Sequence, residues 1–401
     1  MPVGFLITAL LVACGMAMAA WPLSRSGLAG VVTWIVSALP NESPSLVFYW
    51  MGVSTWLTFS QGNLHGPGVW TAIGLASASF TVTPVIVRRS LRAGPAIEGA
   101  LDDGLGPGWR SAGPARPLGT SVPWARIVFT PLPLFHFGVK RISRAYGDAG
   151  RRNRLDLYRS RRSSGGPVLI HLHGGGFALA PGRKSFYARR LLFRLAREGW
   201  VCISPNYRLG SAGTFPQDVV DVKRVIAWAR AHAAEHGGDP DRIVLAGSSY
   251  GARLATLTGF TTGDPAFAPG FEDQDTTAAA VVGLYGYYGA TDSLDALASS
   301  PLDYARRGSP PLLIVHGDQD TLTPASTARS LADRVAEHSM SPVVYAELPG
   351  AQHSFDLLTS IRFEAVIDGI VAFESAVAAA NLRTPTPPGR ATGATAVTAR
   401  P

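Results

Sequence analysis

The amino-acid sequence predicts an α/β fold in which a mostly parallel sheet is flanked by helices and preceded by an apolar helical region. Over residues 140–381, short apolar runs alternate with longer segments of helical periodicity. Such alternation is typical of a parallel sheet with crossover helices. Residues 1–87, by contrast, contain one arginine and one glutamate but neither lysine nor aspartate. Residues 382–401 are rich in proline, threonine and alanine and are predicted to be disordered.

Residues 1–87 are predicted to form a membrane region of three or four helices, with four favoured. The first and last of its four apolar segments have 19 residues without a charge, which is enough to span a bilayer. The segments are Val3–Trp21, Leu28–Leu39, Ser45–Ser60 and Val69–Val87. A cleaved signal peptide is the alternative for the first segment, but no basic residue precedes it and more apolar segments follow. The prediction is therefore a multi-pass membrane protein.

Positive charge is concentrated directly after the apolar region. Residues 88–162 contain 15 lysines and arginines against five acidic residues, a balance of +10 in a chain of net charge +8. Because the rest of the chain is slightly acidic, a general nucleic-acid-binding function is excluded. A basic block beside an apolar region is typical of attraction to anionic lipid. We interpret residues 88–139 as a basic linker that could also act as a cap, with residues 93–125 rich in glycine, proline and alanine.

The basic residues also bear on orientation. Arg88 and Arg89 directly follow the last apolar segment, and positive flanks favour the cytoplasmic side. With four helices both the N-terminus and the following domain would face the cytoplasm, whereas three helices would put them on opposite sides. The two cysteines, Cys14 and Cys202, fall in an apolar helix and a predicted strand, and unpaired thiols are compatible with a reducing compartment. We therefore expect the domain at residues 140–381 to face the cytoplasm.

The strands of that domain are predicted from short apolar runs bounded by glycine, proline or polar residues. They lie near 140–146, 154–158, 167–172, 201–205, 243–246, 311–317 and 343–348. Helices are predicted near 185–198 and 217–235, the latter from the helical spacing of its apolar residues. Since parallel strands align their carboxyl ends at one edge of the sheet, functional residues are expected in the loops that follow them.

One such loop carries a candidate nucleophile. The pentapeptide Gly247-Ser248-Ser249-Tyr250-Gly251 follows the apolar run 243–246 and precedes a helix-compatible stretch. A strand, a sharp G-x-S-x-G turn and a helix together place the central serine, Ser249, on a nucleophile elbow. Gly247 and Gly251 are expected to support this turn, because side chains there would collide with neighbouring backbone.

A second loop carries candidate oxyanion donors. The run His173-Gly174-Gly175-Gly176 follows an earlier predicted strand. The tetrahedral intermediate of acyl transfer carries a negative oxygen that needs preorganised donors. The backbone N–H groups of Gly175, Gly176 and Tyr250 could supply them, with His173 and Gly174 supporting the loop.

The candidate acid and base follow the serine in the chain. The strand near 311–317 opens a loop that contains Asp318 and Asp320, of which Asp320 is the preferred acid and Asp318 the alternative. The last strand, near 343–348, opens a loop that contains His353. A serine hydroxyl needs an imidazole to take its proton, and a carboxylate to hold that imidazole in the right tautomer.

These motifs resemble those of the hormone-sensitive-lipase-like esterases of the α/β-hydrolase superfamily, and an apolar N-terminal region joined to such a domain is similar to membrane-associated lipases and esterases of actinobacteria. The resemblance covers residues 140 to 376. It is carried by His173-Gly174-Gly175-Gly176, Tyr207-Arg208-Leu209, Phe215-Pro216, Gly247–Gly251, Asp320-Thr321-Leu322 and His353-Ser354-Phe355. The resemblance implies an α/β-hydrolase fold and hydrolysis of carboxylic esters without a metal or organic cofactor.

The elbow departs from the family pattern at three positions. Ser248 stands where the family usually carries an acidic residue, Tyr250 where it carries alanine and Ala252 where it carries glycine. We therefore expect the packing beneath the elbow and the acyl pocket to differ from those of other members.

The sequence as a whole predicts a membrane-anchored serine carboxylesterase or lipase. It would cleave acyl esters through Ser249, Asp320 and His353 by way of an acyl-enzyme. The expected partners are an acyl-ester or lipid substrate and the membrane, with no nucleic acid. Two alternatives remain open, a non-catalytic α/β-hydrolase that serves as a binding module and a serine peptidase.

Overall fold

The structure is a computed structural model of the 401-residue chain. It describes residues 3–24, 27–62, 67–113, 117–129, 131–134, 137–175, 182–209, 215–290 and 298–383. The predicted tail at 382–401 lies outside these residues except for its first two, which end the last helix.

Among the described residues, each of the first three predicted apolar segments forms one helix, whereas the fourth, Val69–Val87, is divided between two helices; two further α-helices precede the sheet. In chain order these helices are α1 (Val3–Ala20), α2 (Gly27–Glu42), α3 (Pro44–Ser60), α4 (Pro67–Phe80), α5 (Thr83–Leu91), α6 (Ala93–Leu105) and α7 (Trp124–Phe129). Helices α1, α3 and α4 pack through a small apolar cluster that includes Phe5, Met51 and Ala72. Ile86 of α5 joins a second such cluster with Met16 and Val47.

Two stretches among the described residues are long and apolar enough to cross a membrane, by length and composition. They are Val3–Ala20 and Gly68–Leu105. The second stretch comprises α4, α5 and α6, and α6 packs on the domain that follows. Helices α2 and α3 have 16 and 17 residues and do not meet that length.

The interpretation of residues 93–125 as a linker is wrong for residues 93–105, which form α6. Ile97 and Leu101 are fully buried in the main core. A Cβ at Gly104 would lie 2.4 Å from the carbonyl oxygen of Val343, so the glycine lets the helix approach a strand closely. The glycine-rich composition, which is typical of a linker, therefore allows tight packing of a helix here.

The described residues from 140 onwards form one eight-stranded sheet of order β1-β2-β4-β3-β5-β6-β7-β8. Strand β2 runs antiparallel to its neighbours β1 and β4, and the remaining pairs are parallel. The strands are β1 (Lys140–Ala145), β2 (Arg154–Arg159), β3 (Gly166–Leu172), β4 (Val201–Pro205), β5 (Gly238–Ser248), β6 (Ala280–Leu284), β7 (Leu312–Gly317) and β8 (Val343–Leu348). The α/β prediction is confirmed, although β6 was not among the predicted strands.

Helices cover both faces of this sheet. They are α8 (Arg189–Arg197), α9 (Gln217–His232), α10 (Tyr250–Phe260), α11 (Ala325–His338) and α12 (Ile361–Arg383). One core cluster joins α6, α8 and α12 to one face, and the other joins α9, α10 and α11 to the opposite face. The loops after β3, β5, β7 and β8 consequently meet at the carboxyl edge of the sheet, where open α/β sheets place their sites.

Candidate active site

Ser249 lies in a sharp turn between β5 and α10, with φ +56° and ψ −120°. Both neighbouring glycines are required by space. A Cβ at Gly247 would lie 2.0 Å from the carbonyl oxygen of Gly251, and a Cβ at Gly251 would lie 2.3 Å from that of Leu172. This strained backbone conformation directs the side chain of Ser249 towards the carboxyl edge of the sheet, where its Oγ lies 3.0 Å from Nε2 of His353.

His353 lies in the loop after β8 and connects the serine to a carboxylate. Its Nδ1 is 2.8 Å from Oδ2 of Asp320, in the loop after β7. The His353 side chain is 3% exposed and the Asp320 side chain is fully buried. With Nδ1 donating to the carboxylate, Nε2 is left unprotonated and can accept the serine proton. The structure therefore brings the three predicted residues into one hydrogen-bonded chain.

Asp320 is held in its ionised form. Its Oδ1 accepts hydrogen bonds from the backbone N–H groups of Leu322 and Thr323, and its Oδ2 accepts one from the Thr323 hydroxyl. Burial alone would raise the pKa of Asp320, but the adjoining His353 and His316 hold that pKa well below its usual range. A buried carboxylate that stays charged can stabilise a positive imidazole beside it.

Asp318, the alternative acid, has a different contact. Its Oδ1 accepts a hydrogen bond of 2.7 Å from the backbone N–H of Gly350. This bond ties the loop after β7 to the loop that carries His353. Asp318 therefore holds the two loops together, whereas Asp320 contacts the imidazole itself.

The predicted oxyanion loop is described as far as Gly175. Gly174 lies beside Ser249, since a Cβ there would be 3.1 Å from the Cβ of Ser249. Gly175 follows with φ +125°, a backbone conformation that favours glycine. Tyr250 is the first residue of α10, so its N–H has no acceptor within the helix. Gly176, the remaining predicted donor, lies outside the described residues.

His173 and Tyr207 fasten this loop. The Tyr207 hydroxyl donates to the carbonyl oxygen of His173, and the two rings stack with centroids 4.5 Å apart. His173 Nδ1 donates to the carbonyl oxygen of Gly174 at 2.8 Å. Burial lowers the pKa of His173 to about 4, so the imidazole is neutral and acts as a donor to the loop.

The chain is similar to known ester hydrolases. It is 34% identical to the probable carboxylic ester hydrolase LipM of Mycobacterium tuberculosis, over 90% of each chain. The chain belongs to the hormone-sensitive-lipase-like esterase family. It is also 33% identical to esterase LipQ of the same organism, over 70% of this chain and 74% of that one, and the BD-FAE family matches residues 155–298. Among solved structures, an esterase of Thermogutta terrifontis is similar with a TM-score of 0.46 and 24% identity, over 55% of this chain and 84% of that one.

Membership of this family makes the protein a carboxylic ester hydrolase and confirms the predicted α/β-hydrolase fold. The resemblance to actinobacterial esterases is confirmed by the two mycobacterial relatives. The relatives do not bear on the individual site residues, whose roles rest on the geometry above.

Four buried residues of this esterase form a polar network beneath the elbow. The Ser248 hydroxyl donates to Asp356 at 2.6 Å, and the Tyr285 hydroxyl donates to the other oxygen of the same carboxylate. His171 Nε2 lies 2.9 Å from Ser248 Oγ, and since Ser248 donates to Asp356, His171 is the donor. Burial lowers the pKa of His171 to about 3, which keeps that ring neutral.

Tyr285 connects this network to the loop that carries His353. Its ring packs edge-on against His353, with centroids 4.6 Å apart. Tyr285 and Asp356 were not among the site residues predicted from the sequence. A signal existed for the carboxylate, because Ser248 replaces the usual acidic residue of the elbow and Asp356 follows His353 by three positions. The esterase thus has a carboxylate beneath its elbow, and Asp356, which supplies it, lies in the loop that carries His353.

Proposed function

We propose that this protein hydrolyses carboxylic esters through Ser249, His353 and Asp320, by way of an acyl-enzyme. The observation that carries the proposal is the hydrogen-bonded chain in which His353 lies 3.0 Å from Ser249 Oγ and 2.8 Å from Asp320. In the first step Ser249 Oγ attacks the ester carbonyl carbon while His353 Nε2 takes the hydroxyl proton. Asp320 stabilises the imidazolium that forms.

The tetrahedral intermediate places its negative charge on the former carbonyl oxygen. In this proposal the N–H groups of Gly175, Gly176 and Tyr250 donate to it. Collapse of the intermediate breaks the bond to the alcohol, which leaves with the proton held by His353. Water then attacks the acyl-enzyme with His353 again as the base, and the acid product and free serine are released.

Replacement of the serine tests this mechanism. Ser249→Ala is expected to abolish hydrolysis of p-nitrophenyl esters while the thermal unfolding temperature stays close to that of the unchanged protein. Ser330→Ala, on the exposed surface of α11, is the matched control and is expected to keep full activity. Substantial hydrolysis by Ser249→Ala would contradict this mechanism and indicate that the reaction takes place at a different site. Inertness of the unchanged protein towards all esters, amides and peptides would favour a binding module.

We further propose that the esterase associates with a membrane through its N-terminal helices. The support is an exposed apolar surface, since large exposed apolar patches mark sites of interaction with a membrane or a protein. On α3 the exposed large apolar side chains are Phe48, Tyr49, Trp50, Val53, Trp56, Leu57 and Phe59. On α1 they include Ile7, Leu10 and Leu11. The number of crossings and the cytoplasmic orientation of the catalytic domain stay predictions.

Vesicle flotation tests the association. The full-length protein is expected to float with phosphatidylcholine vesicles and to stay bound in about 1 M salt, because apolar contacts are not screened. Release by salt would contradict the proposal, since it would mean that the basic block alone holds the protein at anionic lipid.

A further inference from the structure

Helix α2 has its polar and apolar faces reversed relative to a helix on the surface of a soluble protein. Its exposed large apolar side chains are Leu28, Val32, Ile35 and Leu39. Its buried residues include Gly30, Thr33, Ser37 and Asn41. The polar and small residues recur at helical spacing and face the protein. This pattern would not stabilise a helix that served only as a membrane segment. We therefore expect the buried polar face of α2 to contact the catalytic domain.

That contact is with the pair of loops that carry the acid and the base. The indole Nε1 of Trp34 donates to the backbone carbonyl of His353 at 3.2 Å. The Trp34 ring also packs edge-on against the His353 imidazole, with centroids 5.9 Å apart and planes at 86°. The Thr321 hydroxyl, next to Asp320, donates to the carbonyl oxygen of Gly30 at 2.8 Å.

The C-terminal end of α2 is fastened to the same region. Asn41 Nδ2 donates to the carbonyl oxygen of Gly350 at 2.8 Å, three residues before His353. Glu42 forms an ion pair with Arg362, and the Arg362 side chain is fully buried. Contacts along the whole length of the helix therefore fix it over the loops after β7 and β8.

We propose that α2 is a positioning element of the active site and that Trp34 is the residue through which it holds His353. This inference rests on the proposed role of His353 as the base. The indole fixes the backbone of His353 by a hydrogen bond and one side of its ring by packing. Tyr285 packs edge-on against the same imidazole, so the ring is held by two aromatic neighbours. Loss of Trp34 would let the imidazole leave the line between Ser249 Oγ and Asp320.

The test compares two substitutions of Trp34 in the full-length protein, assayed in detergent with a short, soluble p-nitrophenyl ester. Trp34→Phe keeps an aromatic ring but removes the N–H donor, and its kcat is expected to fall about fivefold, the effect of one hydrogen bond. Trp34→Ala removes both contacts, and its kcat is expected to fall towards the roughly 100-fold that a misplaced catalytic group costs. KM is expected to change little in both, because Trp34 acts on the base and not on the ester.

Trp228→Phe is the matched control, since Trp228 lies on α9 and stacks on His232, away from the acid and base loops. It is expected to keep the unchanged kcat. The rate of Ser249 modification by a fluorophosphonate should fall in the same ratios as kcat. The partial retention of activity by Trp34→Phe is part of the prediction and remains measurable if Trp34→Ala fails to fold.

An unchanged kcat in Trp34→Phe and in folded Trp34→Ala would overturn the inference. A rise of KM at constant kcat would also overturn it, because it would make Trp34 a substrate contact. The proposed function fails separately, through hydrolysis by Ser249→Ala, so the two results are distinguishable.

Discussion

The ion pair between Glu42 and Arg362 gives the most quantitative prediction about the docking of α2. The Arg362 guanidinium is fully buried and Glu42 is 6% exposed. Glu42→Gln would leave the guanidinium with its charge inside the protein, where the carbonyl oxygen of Pro349 is a remaining acceptor. Removing one partner of a buried pair costs about 3–5 kcal/mol, because the other charge is left uncompensated.

This cost converts into a large change of unfolding temperature. At about 2–4 °C for each kcal/mol, the expected decrease for Glu42→Gln is about 10 °C. The paired replacement Glu42→Leu with Arg362→Met should recover most of this decrease, since apolar residues of similar volume can replace a buried pair at little cost. The combined effect of the two changes is thus expected to be far smaller than the sum of the single ones.

Thermal unfolding in detergent, followed by tryptophan fluorescence, measures this effect. Glu235→Gln, an exposed glutamate after α9, is the control and should unfold within about 2 °C of the unchanged protein. If Glu42→Gln unfolded at the same temperature as this control, the pair would not be buried and the docking of α2 on the catalytic domain would be wrong.

Two further predictions concern the carboxylates of the site. Asp320→Asn should lower kcat by about 10⁴-fold, because an amide favours the wrong tautomer of His353. Asp318→Asn should lower kcat far less, because the Asp318 carboxylate accepts a hydrogen bond from the Gly350 backbone and not from the imidazole; equal losses in steady-state assays would contradict the assignment of the acid. Burial raises the pKa of Asp356 to about 6, although the hydrogen bonds from Ser248 and Tyr285 lower it. Between about pH 4, near the pKa of an aspartate in the unfolded chain, and about pH 6, the folded protein therefore keeps a proton on Asp356 that the unfolded chain has lost. The contribution of Asp356 to the free energy of unfolding consequently falls as pH rises through this window, by roughly 3 kcal/mol in all. Asp356→Asn should thus gain stability relative to the unchanged protein between pH 4.5 and pH 8 in thermal unfolding; a constant difference would show that the carboxyl group does not titrate there.

The positions of the catalytic loops could be predicted because each follows a short apolar run that ends in glycine or a polar residue. Parallel strands then place all these loops at one edge, whatever the details of packing. The choice between Asp318 and Asp320 was harder, since both lie in one loop. It depends on how the turn directs two side chains, and only the structure brings Asp320 to the imidazole and Asp318 to Gly350.

The N-terminal half was less predictable, for a physical reason. In α2 the apolar residues of the outer face dominate the composition, and the buried Thr33 and Ser37 read as ordinary small residues of an apolar helix. The residues that α2 contacts in the loops after β7 and β8 lie about 300 positions later in the chain, as the hydrogen bonds of Trp34 to His353 and of Asn41 to Gly350 illustrate. Sequence periodicity reports which faces differ, but it does not report what covers them.

Short or glycine-rich segments were missed for related reasons. Strand β6 is a run of only five residues, Ala280–Leu284, and lies between two loops. In α6, Gly104 allows the close contact with Val343, but glycine also lowers helix propensity, so the segment is typical of a linker by composition. In both cases the tertiary neighbours, rather than local preference, decide the structure.

The most direct test of the proposed chemistry is a fluorophosphonate reaction with the full-length protein, followed by peptide mass spectrometry. An activated serine forms a stable phosphonyl ester, because its hydroxyl is made nucleophilic by the adjoining base. We expect one rapidly modified residue, Ser249, and a reaction that is at least about 100-fold slower in His353→Ala. Rapid modification of another serine, or an equally fast reaction in His353→Ala, would contradict the proposed chemistry.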